Sequence, residues 1–198
     1  MHGINKETVS TTSGHVEVYS PTARMLHWLV VVLLLIQVPV GFYMAYRGNV
    51  LDIWDGLTNN MYSAHKLVGL VILALVVLRL IYRLSAGAPE HEPTITDWQR
   101  VISRLNHWGL YLLLIIVPVL GYLGISYFPA LDIFGGFHLP GLVAPDKPMA
   151  EKVLFWHGIA AFTLLALIAL HVAAALYHYL FRQDNVLGRM LPQFLRRT

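Results

Sequence analysis

The stretch from Val153 to Phe181 runs for 29 residues without a lysine, arginine, aspartate or glutamate. As a helix rising about 1.5 Å per residue, it is long enough to cross the roughly 30 Å hydrocarbon core of a bilayer. Yet it carries His157, His171 and His178. At about 100° per residue, fourteen positions return to within about 40° of the starting face and advance roughly 21 Å. His157 and His171 therefore share a face, one near each membrane surface. His178 lies two turns further on, on nearly that face. Imidazoles inside a lipid-spanning helix are costly and mark function, so the rest of the chain is constrained by what these rings must meet.

Three further apolar runs supply the partners. They cover residues 25–46, 61–83 and 105–128, and with 153–181 they predict an all-α, integral membrane four-helix bundle over 24–182. A tail of 1–23 precedes it and a basic tail of 183–198 follows. Only 13% of the residues are charged, against about a quarter in soluble domains, which supports the membrane assignment. The first twenty residues are polar, without the apolar run of a signal peptide. The net charge is +3, but the basic residues are scattered at helix ends, which argues against nucleic acid as a partner. Absence of cysteine removes disulfides, thiolate metal sites and covalent c-type haem attachment. Any haem is therefore held non-covalently.

Loops are predicted at GNVLDIWDGLTNN, at 85–104 and at 129–152. The last is rich in aromatics, Gly and Pro, contains His138, and is expected to cover one end of the bundle. Ten of the fourteen Lys and Arg residues fall on the side of the two tails. The positive-inside rule then places both termini in the cytoplasm. Arg47, Lys66, Lys147 and Lys152 lie on the other side.

Depth sorts the histidines. His65 and His157 lie at the outer ends of spans two and four and form a natural pair. In the inner half, His171 meets either His27 of span one or His107 of span three. Two histidines on facing helices can clamp a planar metal macrocycle axially, and two such pairs along one helix would carry electrons across the membrane. A lone intramembrane histidine is commonly an interhelical polar contact, but four at matched depths are poorly explained that way. Zinc is disfavoured because the core holds no carboxylate and H-E-x-x-H is absent.

Arg79 follows His65 by fourteen residues, as His171 follows His157. It either meets haem propionates through charge-assisted hydrogen bonds or snorkels to the surface; Arg83, one turn on, reads as a surface anchor. His107 and His178 are proton-capable groups suited to a quinone site; His178 has the alternative of hydrogen bonding to lipid headgroups. A faint repeat relates His27-Trp28 and Gly41 to His107-Trp108 and Gly121, with fourteen residues from histidine to glycine each time. Glycine there permits close approach of a macrocycle or a neighbouring helix. The repeat makes His27 and His107 counterparts and leaves open which of them meets His171.

The pieces R-M-L-H-W-L (24–29), A-H-K-L-V-G with Arg79 and Arg83 (64–83) and H-W-G-L-Y-L-L-L-I-I-V-P-V-L-G (107–121) resemble the bacterial cytochrome b561 family. So do F-W-H-G (155–158) and L-H-V-A-A-A-L-Y-H-Y-L-F-R-Q-D-N-V-L-G-R-M-L-P (170–192). The resemblance covers nearly everything beyond residue 20. It implies a bacterial inner-membrane oxidoreductase with two haem b groups, whose iron ligands are His27, His65, His157 and His171. It also implies electron exchange with ubiquinone or another quinone. Some members of the family oxidise superoxide; related cytochromes are non-catalytic membrane subunits that pass electrons from hydrogenases or dehydrogenases. The outer-side lysines 66, 147 and 152 would then attract superoxide, or another redox partner, to the periplasmic face. The direction of electron flow and the presence of a homo-oligomer are left open.

Overall fold

The computed structural model describes residues 18–87, 89, 92 and 94–191. The remainder of the two predicted tails, 1–17 and 192–198, lies outside the described residues. Four long helices form the chain's frame: α1 (Pro21–Ala45), α2 (Gly56–Ala86), α3 (Asp97–Tyr127) and α4 (Lys147–Tyr177). Each is long and apolar enough to cross a membrane. The helices α1 and α4 each end in a wider, π-type turn, Tyr46–Val50 and His178–Arg182. A two-residue hairpin, β1 (Asp132–Ile133) and β2 (Phe137–His138), lies between α3 and α4.

The helices begin earlier than the apolar runs imply. The reason is local: polar caps start them outside the apolar segment. Asp55 accepts from the Thr58 N–H at 2.9 Å and starts α2. Gln99 Oε1 accepts from the Thr96 N–H at 3.0 Å and starts α3. Asp146 accepts from the Met149 N–H at 3.1 Å and starts α4. Each satisfies a donor that the helix geometry leaves unpaired. Much of the predicted 85–104 loop is therefore helix. At the other end of the first connection, Arg47 donates to Asp55 Oδ2 at 2.6 Å and to the Thr58 hydroxyl at 2.9 Å. The Thr58 N–H and the Arg47 guanidinium hold the Asp55 carboxyl below the usual carboxylate range.

Close backbone packing runs from α1 to α2, from α2 to α3 and from α3 to α4. Neither α1 nor α2 packs as closely on α4. A compact apolar band nevertheless joins all four: Val30 of α1, Ile72 and Val76 of α2, Tyr111 and Leu114 of α3, and Leu164 of α4. Leu164 is midway between His157 and His171, and Ile72 is midway between His65 and Arg79. The band is thus a central floor with one histidine level on either side. Outward faces are apolar throughout, with Leu35 at 71% and Ile81 at 58% exposure, as expected of surfaces that meet lipid rather than water.

The first and last described residues lie on one side of the bundle. The Tyr19 N–H donates to the Arg189 carbonyl at 3.3 Å. Arg24 donates to the Leu191 carbonyl and Trp28 to that of Met190. On the opposite side, Leu131, Ile133 and Leu139 of the hairpin segment pack on Leu70, Tyr122 and Ile125, covering the bundle end as predicted.

Candidate functional site

The outer histidines meet across the gap between α2 and α4. The ring centres of His65 and His157 are 6.3 Å apart and their planes cross at 83°. Both line a cavity of about 960 Å³ on the hairpin side of the apolar band. Each ring is backed by a glycine on the preceding helix. A Cβ added to Gly41 would stand 2.9 Å from His65 Cε1, and one added to Gly121 would stand 3.2 Å from His157 Cε1 and Nδ1. The repeat therefore has a concrete meaning: the glycine of the first helix in each pair makes room for the histidine of the second.

That contact also orients the rings. The Nδ1–Cε1 edges face the glycines, so the Nε2 atoms point away from them. His157 Nδ1 donates to the Val117 carbonyl at 2.8 Å, which fixes the proton on Nδ1 and leaves the Nε2 lone pair available to a metal. Val117 lies four residues before Gly121, where Gln37 lies before Gly41. The Gln37 amide instead donates to the His65 carbonyl at 2.9 Å, and His65 Nδ1 is buried without a hydrogen-bond partner among the described residues. A close approach at Gly69, whose added Cβ would lie 3.3 Å from Gln37 Nε2, allows this bond. Sequence reading missed Gln37 and Gly69; the repeat offset of eighty residues between Gln37 and Val117 was the available signal.

On the inner level, His27 and His171 also stand 6.3 Å apart, with planes at 75°. His107 is closer to His171, at 5.2 Å and 78°. Its Nδ1 donates to the Ser103 carbonyl at 2.6 Å. All three histidines therefore converge. Metal–nitrogen bonds of about 2 Å, with roughly 1.1 Å more to each ring centre, put two axial imidazoles about 6.2 Å apart. The outer pair and the His27–His171 pair fit that spacing, whereas the His107–His171 pair is too close.

Arg79 points inward. It donates to His27 Nδ1 at 2.9 Å and lies over Tyr111, 5.5 Å from the ring centre. The snorkelling alternative thus gives way to an interior role. Guanidinium only donates, so in this contact His27 Nδ1 accepts and the ring proton sits on Nε2. Ligation of a metal through Nε2 requires Arg79 to leave that nitrogen, freeing a cation beside the inner pair. His178 is buried and bonded to Asp184 at 2.6 Å, which replaces the headgroup alternative. His138 lies on the exposed hairpin and pairs with Asp132 at 2.9 Å.

Lys66 is not a free charge at an entrance. Its ammonium donates to the carbonyls of Ala130 at 3.0 Å and Asp132 at 2.6 Å. It fastens the hairpin segment over the outer cavity. Replacing Lys66 by methionine removes two charge-assisted bonds. The amides of Phe134, bonded to Ser63 Oγ, and Leu139, bonded to the Leu131 carbonyl, are expected to exchange about tenfold faster in hydrogen-exchange mass spectrometry. Unchanged protection would assign Lys66 another role. Lys147 and Lys152 remain exposed at the start of α4.

A family model described as prokaryotic cytochrome b561 matches residues 18–193. Cytochrome b561 homolog 2 of Escherichia coli is 27% identical over 176 residues, covering 88% of this chain and 92% of that protein. A probable superoxide oxidase of Yersinia pestis is 26% identical over 175 residues, covering 88% and 96%. Cytochrome b562 of Cereibacter sphaeroides is 30% identical over 178 residues, covering 87% and 94%.

Proposed function

The chain belongs to the prokaryotic cytochrome b561 family, a family of multi-pass membrane electron-transfer proteins that bind haem b, and from that premise we propose that it is a two-haem quinone-linked oxidoreductase of the bacterial inner membrane. The observation that carries the reading is the pair of equal ring separations, 6.3 Å at each level, with one member of each pair on α4. His65 and His157 would hold the outer haem and His27 and His171 the inner one. Haem iron supplies one-electron chemistry at both levels.

The chain's own residues do the remaining work. Gly41 and Gly121 seat the outer imidazoles, and Val117 sets the His157 tautomer. Arg79, once released from His27, offsets propionate charge on the inner side. The central apolar band keeps water from passing between the two levels. With both termini cytoplasmic, the hairpin side faces the periplasm, and Lys147 and Lys152 attract an anionic donor to it. Superoxide is the donor we favour: two superoxide anions each lose one electron to become dioxygen, and one quinone gains two electrons and two protons. His107 and His178 are the proton-capable groups at the inner end.

Spectra and two reductants test this. Purified protein should show b-type reduced-minus-oxidised absorbance with about two haems per chain. Superoxide should reduce it and ubiquinone should reoxidise it. Absence of b-type absorbance ends the haem reading. If superoxide and quinol both fail while a co-purifying dehydrogenase succeeds, the chain is an electron-transfer subunit of a larger complex.

A further inference from the structure

The terminal turn of α4 contains a buried histidine–carboxylate pair on which the haem-level geometry makes no demand. His178 Nδ1 is 2.6 Å from Asp184 Oδ2, and the side chains are 10% and 5% exposed. The carboxylate is itself fixed from several directions. The Thr94 hydroxyl donates to Oδ2 at 3.0 Å from the connection between α2 and α3. The Val186 N–H donates to Oδ1 at 3.2 Å. Arg182 in turn holds the Thr94 carbonyl at 2.8 Å. The left-handed backbone of Gln183, with φ of 52°, folds Asp184 back beneath the helix end.

We propose that Asp184 is a positioning residue that holds His178 with its proton on Nδ1 and keeps its Nε2 ready to carry a second proton to a reduced quinone. His178 lies seven residues past His171, so it sits about 10 Å further toward the inner surface on nearly the same face. A buried imidazole can pass protons in one direction only if one ring nitrogen is held and the other is left to exchange. Arg182 is in the same turn, Arg189 is buried just beyond it, and Arg24 of α1 reaches the Leu191 carbonyl. Tyr177 presents its ring edge-on at 5.8 Å and brings no charge. Asp184 offsets the positive surroundings, and its acceptor oxygen settles which nitrogen exchanges. In the transfer, the Nε2–H bond of the doubly protonated ring breaks as an O–H bond forms on the quinone oxygen. The electrons come from the outer donor through the protein, and the ring regains its proton from cytoplasmic water.

This inference rests on the quinone reading above, and the test separates the two. Asp184→Asn keeps an acceptor oxygen for Nδ1–H but removes the charge. Haem reoxidation by a short-chain ubiquinone is followed against pH in purified holoprotein. In the variant, with haem content and spectrum unchanged, the midpoint of the pH profile should move down by about one unit and the rate above it should fall roughly tenfold. Asp184→Glu should restore part of both. A rate loss that tracks a lowered melting temperature with the midpoint unmoved makes Asp184 merely structural and overturns the inference. Wild-type protein that quinone fails to reoxidise at any pH overturns the quinone reading itself. Nitrogen-15 histidine NMR on the wild type supplies a readout independent of the variant's folding, with His178 assigned by its loss in His178→Gln. An Nδ1–H tautomer is expected, and an Nε2–H neutral tautomer refutes the proposal.

Discussion

His157→Ala is expected to bind about one haem per chain where the wild type binds about two. The loss should come from the outer level, so His65→Ala should give the same spectrum. His171→Ala should lose the other haem. The discriminating variant is at the inner level. His27→Ala should lose the inner haem and His107→Ala should keep it, because only the His27–His171 separation of 6.3 Å matches a shared metal and the 5.2 Å of His107 does not. Pyridine haemochrome stoichiometry with redox-resolved spectra checks all five. Two haems retained in both His65→Ala and His157→Ala would remove the ligand assignment altogether.

The second large effect concerns a residue with no chemistry. Gly41→Val places a branched side chain where even a Cβ would lie 2.9 Å from the His65 ring. Overpacking of this kind costs about 1–3 kcal/mol, and relief by moving His65 costs the outer site its geometry. The variant should insert in the membrane yet lose most of its outer haem. Gly121→Ala should do less, since its Cβ stands 3.2 Å from His157 and the ring needs to give by only a few tenths of an ångström. Gly56→Ala, at the start of α2 and away from the cavity, meets nothing within 4 Å and should retain both haems. Equal haem content in all three would mean that the glycines do not set the fit.

Much of this arrangement was legible from residues alone. The membrane spans followed from long apolar runs, the second tolerating Lys66, Arg79 and Arg83 within it, and the two histidine levels from the fourteen-residue step on α4. Helix boundaries were less so, because the absence of charge marks the hydrocarbon slab. The helices continue past it on caps such as Asp55 and Asp146, whose role is visible only in their hydrogen bonds. The choice between His27 and His107 was ambiguous for a different reason. Spacing fixes depth and face, but the two residues are repeat counterparts at equal depth, and only the tilt and separation of helices distinguish them. Lys66 counted among the outer-side cations that attract an anionic donor, whereas a segment more than sixty residues away claims its ammonium through the Ala130 and Asp132 carbonyls. Asp184 was hidden in a tail that read only as basic.

Both histidine pairs take one member from α4, which packs less closely on α1 and α2 than on α3. The consequence is one of timing. A chain made from its N-terminus gains α4 last, and domains and segments tend to settle in that order. Neither site can close until the final helix has entered the bilayer, however early His27 and His65 are in place. If these pairs hold haem, its capture would serve as a completion check on biogenesis, because a nascent chain stalled before residue 157 lacks the α4 histidine of both pairs.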